Sequence, residues 1–115
     1  MEHAIFPEVS KDLVDKRREL APEIYGAFRT FNQRVFADGA LSSKTKDLIA
    51  VAVAHVTQCP YCIRGHTASA LKNCATEQEV MEAIWVAAEM RAGGAYAHSL
   101  LALDEMAKAR EASGA

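Results

Sequence analysis

Alanine constrains this chain more than any other feature, with 22 of 115 residues against six glycines and three prolines. Alanine loses no side-chain entropy in a helix and lets helices approach one another closely. No stretch alternates apolar and polar residues, and aromatic residues make up only 7%, so strand signals are lacking. The expected class is all-α, one domain over residues 1–115 with about six helices.

Local start and stop signals set the expected boundaries. Ser10 is an N-cap for a first helix reaching about Leu20. Pro22 suits the first turn of a second, whose apolar Ile24, Phe28, Phe31, Val35 and Phe36 recur at helical steps until Asp38-Gly39. Ser42 caps a third helix carrying a wide apolar stripe of Leu48, Ile49, Ala52, Val53 and Val56. A fourth opens at Cys59-Pro60 and ends near Lys72. Thr76 and Glu79 form a T-x-x-E capping box for a fifth, in which Trp85 reads as a core residue. Gly93-Gly94 is expected to break the pattern, leaving a sixth helix over residues 95–109 and a frayed EASGA tail.

Composition removes several function classes. Half the residues are hydrophobic and 24% are charged, with both signs mixed, which excludes a disordered chain. A net charge of −2 and a pI near 6.1 supply no basic face, so no nucleic-acid partner is expected. The longest apolar run, residues 48–54, falls far short of the roughly 18 needed to span a membrane, so no membrane association is expected. The opening MEHAIFPEVSKD has no apolar core of a signal peptide, and a cytoplasmic location follows as the expectation. Short helices that are apolar nearly all round make a thin monomer, so a homo-oligomer is expected.

The chemistry concentrates in residues 47–66, DLIAVAVAHVTQCPYCIRGH. If Pro60 takes the first helical position, Cys59 is the N-cap, and Cys59, Cys62 and His66 project from one side. Unpaired amides and the helix dipole at that end favour thiolate over thiol. His66, one turn inside Cys62, can accept the thiol proton or stabilise the anion. A thiolate with a second cysteine in reach can attack a peroxide or disulfide and then be resolved internally. A zinc site would enlist Cys59, Cys62 and His66 with His55 or Cys74, but no second C-x-x-C or H-x-x-x-H pair supports it. A thioredoxin-like origin of C-P-Y-C would need a preceding strand, where this chain has a helical pattern. By spacing alone, Asp47 reads as an exposed first-turn aspartate, although it shares a helix face with His55. His55 itself reads as a satisfied core histidine and Cys74 as a bystander. Tyr96 and His98 line a pocket or simply pack, and His3 receives no role.

The segments KTKDLIAVAVAHVTQCPYCIRGHTASAL, ATEQEVMEAIWVAAEM and GGAYAHSL, in that order, resemble the carboxymuconolactone decarboxylase family. Within it they resemble the alkyl hydroperoxidase D-like branch, marked by C-x-x-C-x-x-x-H, and the likeness covers residues 22–103. That resemblance implies an all-helical oligomer, trimeric or hexameric, whose cysteine pair reduces peroxides or disulfides and is reset by an external dithiol or a redox partner protein. Cys62 takes the place of the exposed nucleophile, Cys59 that of its partner, and His66 that of the family histidine. A family glutamate 12 residues before the first cysteine falls on Asp47, one methylene shorter, and the match favours a proton-relay role for it. No cofactor is implied. Lactone-acid decarboxylation, the chemistry of the family name, is disfavoured by the cysteine pair and by the lack of an arginine cluster, Arg64 and Arg91 being isolated in sequence.

Overall fold

The computed structural model describes residues 5–114, and all regular structure among them is helical. The elements are α1 (Lys11–Leu20), α2 (Pro22–Phe36), α3 (Ser43–Thr57), α4 (Pro60–Lys72) and α5 (Glu77–Ala112). His3 lies outside the described residues.

Side-chain caps place most of the boundaries. The Ser10 hydroxyl accepts from the Leu13 amide, and Ser42 Oγ accepts from the Thr45 amide. Pro22 and Pro60 stand at the starts of α2 and α4, where a missing N–H costs nothing. At α5 the Thr76 hydroxyl accepts from the Glu79 amide at 3.0 Å, while Glu79 Oε1 accepts from the Thr76 amide at 2.9 Å. Lys44 of α3 meets Glu79 Oε2 at 2.9 Å, tying the starts of α3 and α5 together.

The break expected at Gly93-Gly94 does not occur. α5 runs unbroken for 36 residues, about 54 Å of helix, and takes in Glu111 and Ala112 of the expected frayed tail. Among the described glycines only Gly114 has a positive φ, so neither Gly93 nor Gly94 adopts the left-handed turn that ends a helix. Each glycine costs about 1 kcal/mol relative to alanine. That is too little to stop a helix when strong formers continue on both sides.

α3 is the centre, flanked by α4 and α5. Val51, Ala70, Ala75 and Val80 form the small core, with Leu48 and Ile84 against it. The α1–α2 hairpin adds little to it, and Ile24, Phe28, Phe31 and Val35 on α2 remain exposed. Trp85, expected in the core, is 68% exposed, because among the described residues the face of α5 that carries it meets no other element. The chain is elongated, with principal extents of 66 × 35 × 33 Å and a radius of gyration of 20.8 Å. A compact chain of this length would have about 13 Å. Its accessible surface is 9338 Å², against about 6,200 Å² for a folded monomer of this mass. Among the described residues no helix is long and apolar enough to cross a membrane.

The capping box generates a pH-linked prediction. Thr76→Ala should cost about 1 kcal/mol in urea unfolding. The Glu79 carboxyl is held below its ordinary range, chiefly by the Thr76 amide and then by Lys44. A depressed folded value stabilises above the unfolded glutamate range and is lost as pH falls through the folded value. The midpoint gap between wild type and Glu79→Ala should therefore be open at pH 7 and close in acid below that range.

Candidate active site

The turn from α3 to α4 brings the cysteines together. Gln58, in the left-handed region at φ 59°, ends α3, and Cys59 then becomes the N-cap of α4. Cys59 Sγ accepts from the Cys62 amide at 3.2 Å. The Cα atoms of Cys59 and Cys62 are 5.3 Å apart and their sulfurs are paired as a disulfide, within the separation a disulfide needs. Cys74, at the far end of α4, is exposed and free.

Beyond Cys62, α4 and its C-cap present His66, Ser69 and Asn73 at successive steps of four, three and four residues, one stripe along the helix. Asp47 of α3 faces that stripe and is only 2% exposed. Its Oδ2 accepts from Asn73 Nδ2 at 2.7 Å and from Ser69 Oγ at 3.0 Å. Its Oδ1 lies 3.8 Å from His66 Nδ1, an ion-pair distance when the imidazole is protonated and too long for a direct hydrogen bond. On its other face His66 stacks against Phe36 of α2, the rings 4.9 Å apart and 27° from parallel.

Asp47 is therefore no exposed first-turn residue, and its partner is His66 rather than His55. Four residues before Val51 on the same helix face, it is buried because α4 packs over it. Among the described residues, neither Asp47 nor His66 hydrogen-bonds a sulfur, so any proton transfer to Cys62 crosses the cleft. His55 holds the Val51 carbonyl at 2.7 Å and lines a different pocket with Gln58, Ile84 and Arg91. Tyr96 is exposed, and His98 Nδ1 contacts the Gly94 carbonyl one turn back at 2.7 Å. Among the described residues no group of three or more His, Cys, Asp and Glu side chains is arranged to hold a metal ion.

A cleft of about 520 Å³ gives access to the site, lined by Cys62, His66, Asp47, Ser69, Tyr61 and Phe36 together with Arg17, Arg29 and Asn32. Sequence reasoning missed the last three, since they arrive from α1 and α2. It also missed Ser69 and Asn73, although their register with Cys62 and His66 was a usable signal. A second, apolar groove of about 540 Å³ between α3 and α5 carries no nucleophile; Val53, Val56, Val86 and Met90 are among its walls.

The family model described as "Carboxymuconolactone decarboxylase family" matches residues 22–105. A Paracoccus denitrificans protein named "Uncharacterized protein 4 in cox locus" is 56% identical over 103 residues, 87% of this chain and 92% of that one. An uncharacterized protein of Cupriavidus necator is 37% identical over 72 residues, 63% of this chain and 64% of that one. Among solved structures, an apo carboxymuconolactone decarboxylase family protein from Legionella pneumophila superposes with a TM-score of 0.66 at 39% identity. It covers 69% of this chain and 70% of that chain. A protein from Methanobacterium thermoautotrophicum superposes with a TM-score of 0.68 at 37% identity, over 72% of this chain and 93% of that one.

Removing the Asp47 carboxylate leaves two donors without their acceptor and opens a cavity between α3 and α4. Asp47→Ala should cost about 2 kcal/mol in denaturant unfolding, and Asp47→Asn, which keeps an acceptor oxygen, less than half of that. Equal losses in both variants would show that the negative charge, rather than the acceptor, holds the two helices together.

Proposed function

The chain belongs to the carboxymuconolactone decarboxylase family, and we propose that it acts there as a thiol-dependent peroxidase of the alkyl hydroperoxidase D type. The observation that carries this reading is the placement of Cys62, bonded to Cys59 at the head of α4, in one cleft with His66 and Asp47.

The reaction begins from the reduced pair. A Cys62 thiolate attacks the terminal oxygen of a hydroperoxide; the S–O bond forms as the O–O bond breaks, and the departing alkoxide takes up a proton. His66 is the group on the cleft wall able to deliver that proton, and Asp47 holds His66 in orientation through space. The Cys59 thiol then displaces water from the Cys62 sulfenic acid, forming the disulfide. An external dithiol, free or on a partner protein, returns the pair to two thiols and is itself oxidised to a disulfide. An exposed, free Cys74 suits the reducing cytoplasm in which we place this cycle.

Homo-oligomerisation, as a trimer or hexamer, completes the reading. It is supported by the excess surface and by exposed Phe28 and Phe31 on α2 and Trp85, Met90 and Leu100 on α5. Sedimentation equilibrium of the purified chain should give a multiple of 12.5 kDa; a monomer at micromolar concentration would contradict it.

One observation favours a second reading, lactone-acid decarboxylation: Arg17 and Arg29 line the cleft, so the arginine cluster found lacking in the sequence is present in space. The cysteines decide between the two. Cys62→Ser should abolish hydroperoxide turnover. Cys59→Ser should consume one equivalent and stop, holding Cys62 as a sulfenic acid that adds the mass of one oxygen and is trapped by dimedone. Full hydroperoxide turnover in Cys62→Ser would contradict the thiol mechanism, and decarboxylation of a lactone acid by Cys59→Ser/Cys62→Ser would favour the alternative.

A further inference from the structure

Arg17 on α1 and Arg29 on α2 converge with Asn32 on the wall of the Cys62–His66 cleft. Among the described residues neither guanidinium is in an ion pair, while several other cations are. On α1, Asp15 pairs with Lys11 and Arg18; on α3 and α5, Lys44 pairs with Glu79 and Lys108 with Asp104. Asp47, the carboxylate inside the cleft, is already taken up by Ser69 and Asn73. Glu8 shares an adjoining cleft with Arg17 and makes no ion pair with it among the described residues. Two forked cations and an amide, with no ion-pair partner among the described residues, line the cleft that holds the reactive sulfur.

From this placement we propose that Arg17, Arg29 and Asn32 form a carboxylate subsite that selects organic hydroperoxides bearing an acid group. The inference rests on the peroxidase reading and adds the substrate class. A guanidinium binds a carboxylate through two parallel N–H bonds, a geometry an ammonium does not reproduce, and Asn32 can donate one more. A cleft of about 520 Å³ has the size of a small-molecule site. Anchored there, the substrate keeps its hydroperoxide end free for Cys62. The chemistry is unchanged: thiolate, hydroperoxide and the proton from His66 give sulfenic acid and the hydroxy acid, and the sulfenic acid and the Cys59 thiol give disulfide and water. A small dithiol such as dithiothreitol resets the pair in the assay.

The test compares cumene hydroperoxide with its para-carboxy derivative, two substrates with the same reacting group and different charge. Wild-type protein should show a kcat/KM for the acid at least about tenfold above that for the neutral compound. In Arg17→Gln/Arg29→Gln that ratio should fall toward one, and in Arg17→Lys/Arg29→Lys it should be partly retained. The ratio does not depend on the thiolate fraction, because both substrates meet the same sulfur, and turnover of the neutral compound reports that a variant is folded. A wild-type ratio near one, or an undiminished ratio in the glutamine variant, overturns the subsite. If neither hydroperoxide is consumed, the peroxidase reading fails and calorimetric titration with 4-isopropylbenzoate judges the subsite by itself. Binding by wild type that the glutamine variant loses supports the subsite; equal binding, or none, overturns it.

Discussion

The buried carboxylate of Asp47 is the contact on which the candidate site depends. It sits on the central helix, is nearly inaccessible, and accepts from two side chains of α4 with one oxygen. A carboxylate placed there must be hydrogen-bonded, because an unpaired buried charge costs several kcal/mol. Satisfying it fixes the rotation of α4 about its own axis. That rotation turns His66 toward the second oxygen and Cys62 toward the cleft. The same contact that holds α3 to α4 thus aims the groups proposed to do chemistry.

What was legible in the sequence was local. Ser10, Ser42, Cys59 and Thr76 act within three residues of themselves, so capping chemistry marks the starts of α1, α3, α4 and α5 without knowledge of the rest of the fold. The C-x-x-C-x-x-x-H spacing likewise contains its own geometry, since positions 59, 62 and 66 share one side of a helix. Gly93-Gly94 misled because a glycine ends a helix only where a left-handed turn offers a better alternative than continuation. Trp85 misled because hydrophobicity alone does not say whether the matching surface belongs to the same chain. The cleft was half visible. Cys62, His66, Ser69 and Asn73 are a stripe on one helix, whereas Arg17, Arg29 and Asn32 come from two helices whose path no local rule specifies.

Shape and chemistry connect through the α1–α2 hairpin. It contributes little to the core, yet Phe36 braces His66 and the two arginines face the cleft. A hairpin so weakly packed on its own chain would be held by whatever covers Ile24, Phe28 and Phe31. Copies of the chain covering that surface would steady the hairpin and with it the wall of the site, so assembly and substrate recognition are linked in this account.

The central claim is that Cys59 and Cys62 form a redox pair driven by hydroperoxide, and thiol accounting tests it most directly. Reduced protein receives one equivalent of hydroperoxide, is denatured in alkylating reagent, and is read by intact mass and peptide mapping. The account predicts that Cys74 alone is alkylated, that a Cys59–Cys62 disulfide links the mapped peptides, and that the oxidant is consumed. Alkylation of all three cysteines with the hydroperoxide left intact would contradict it.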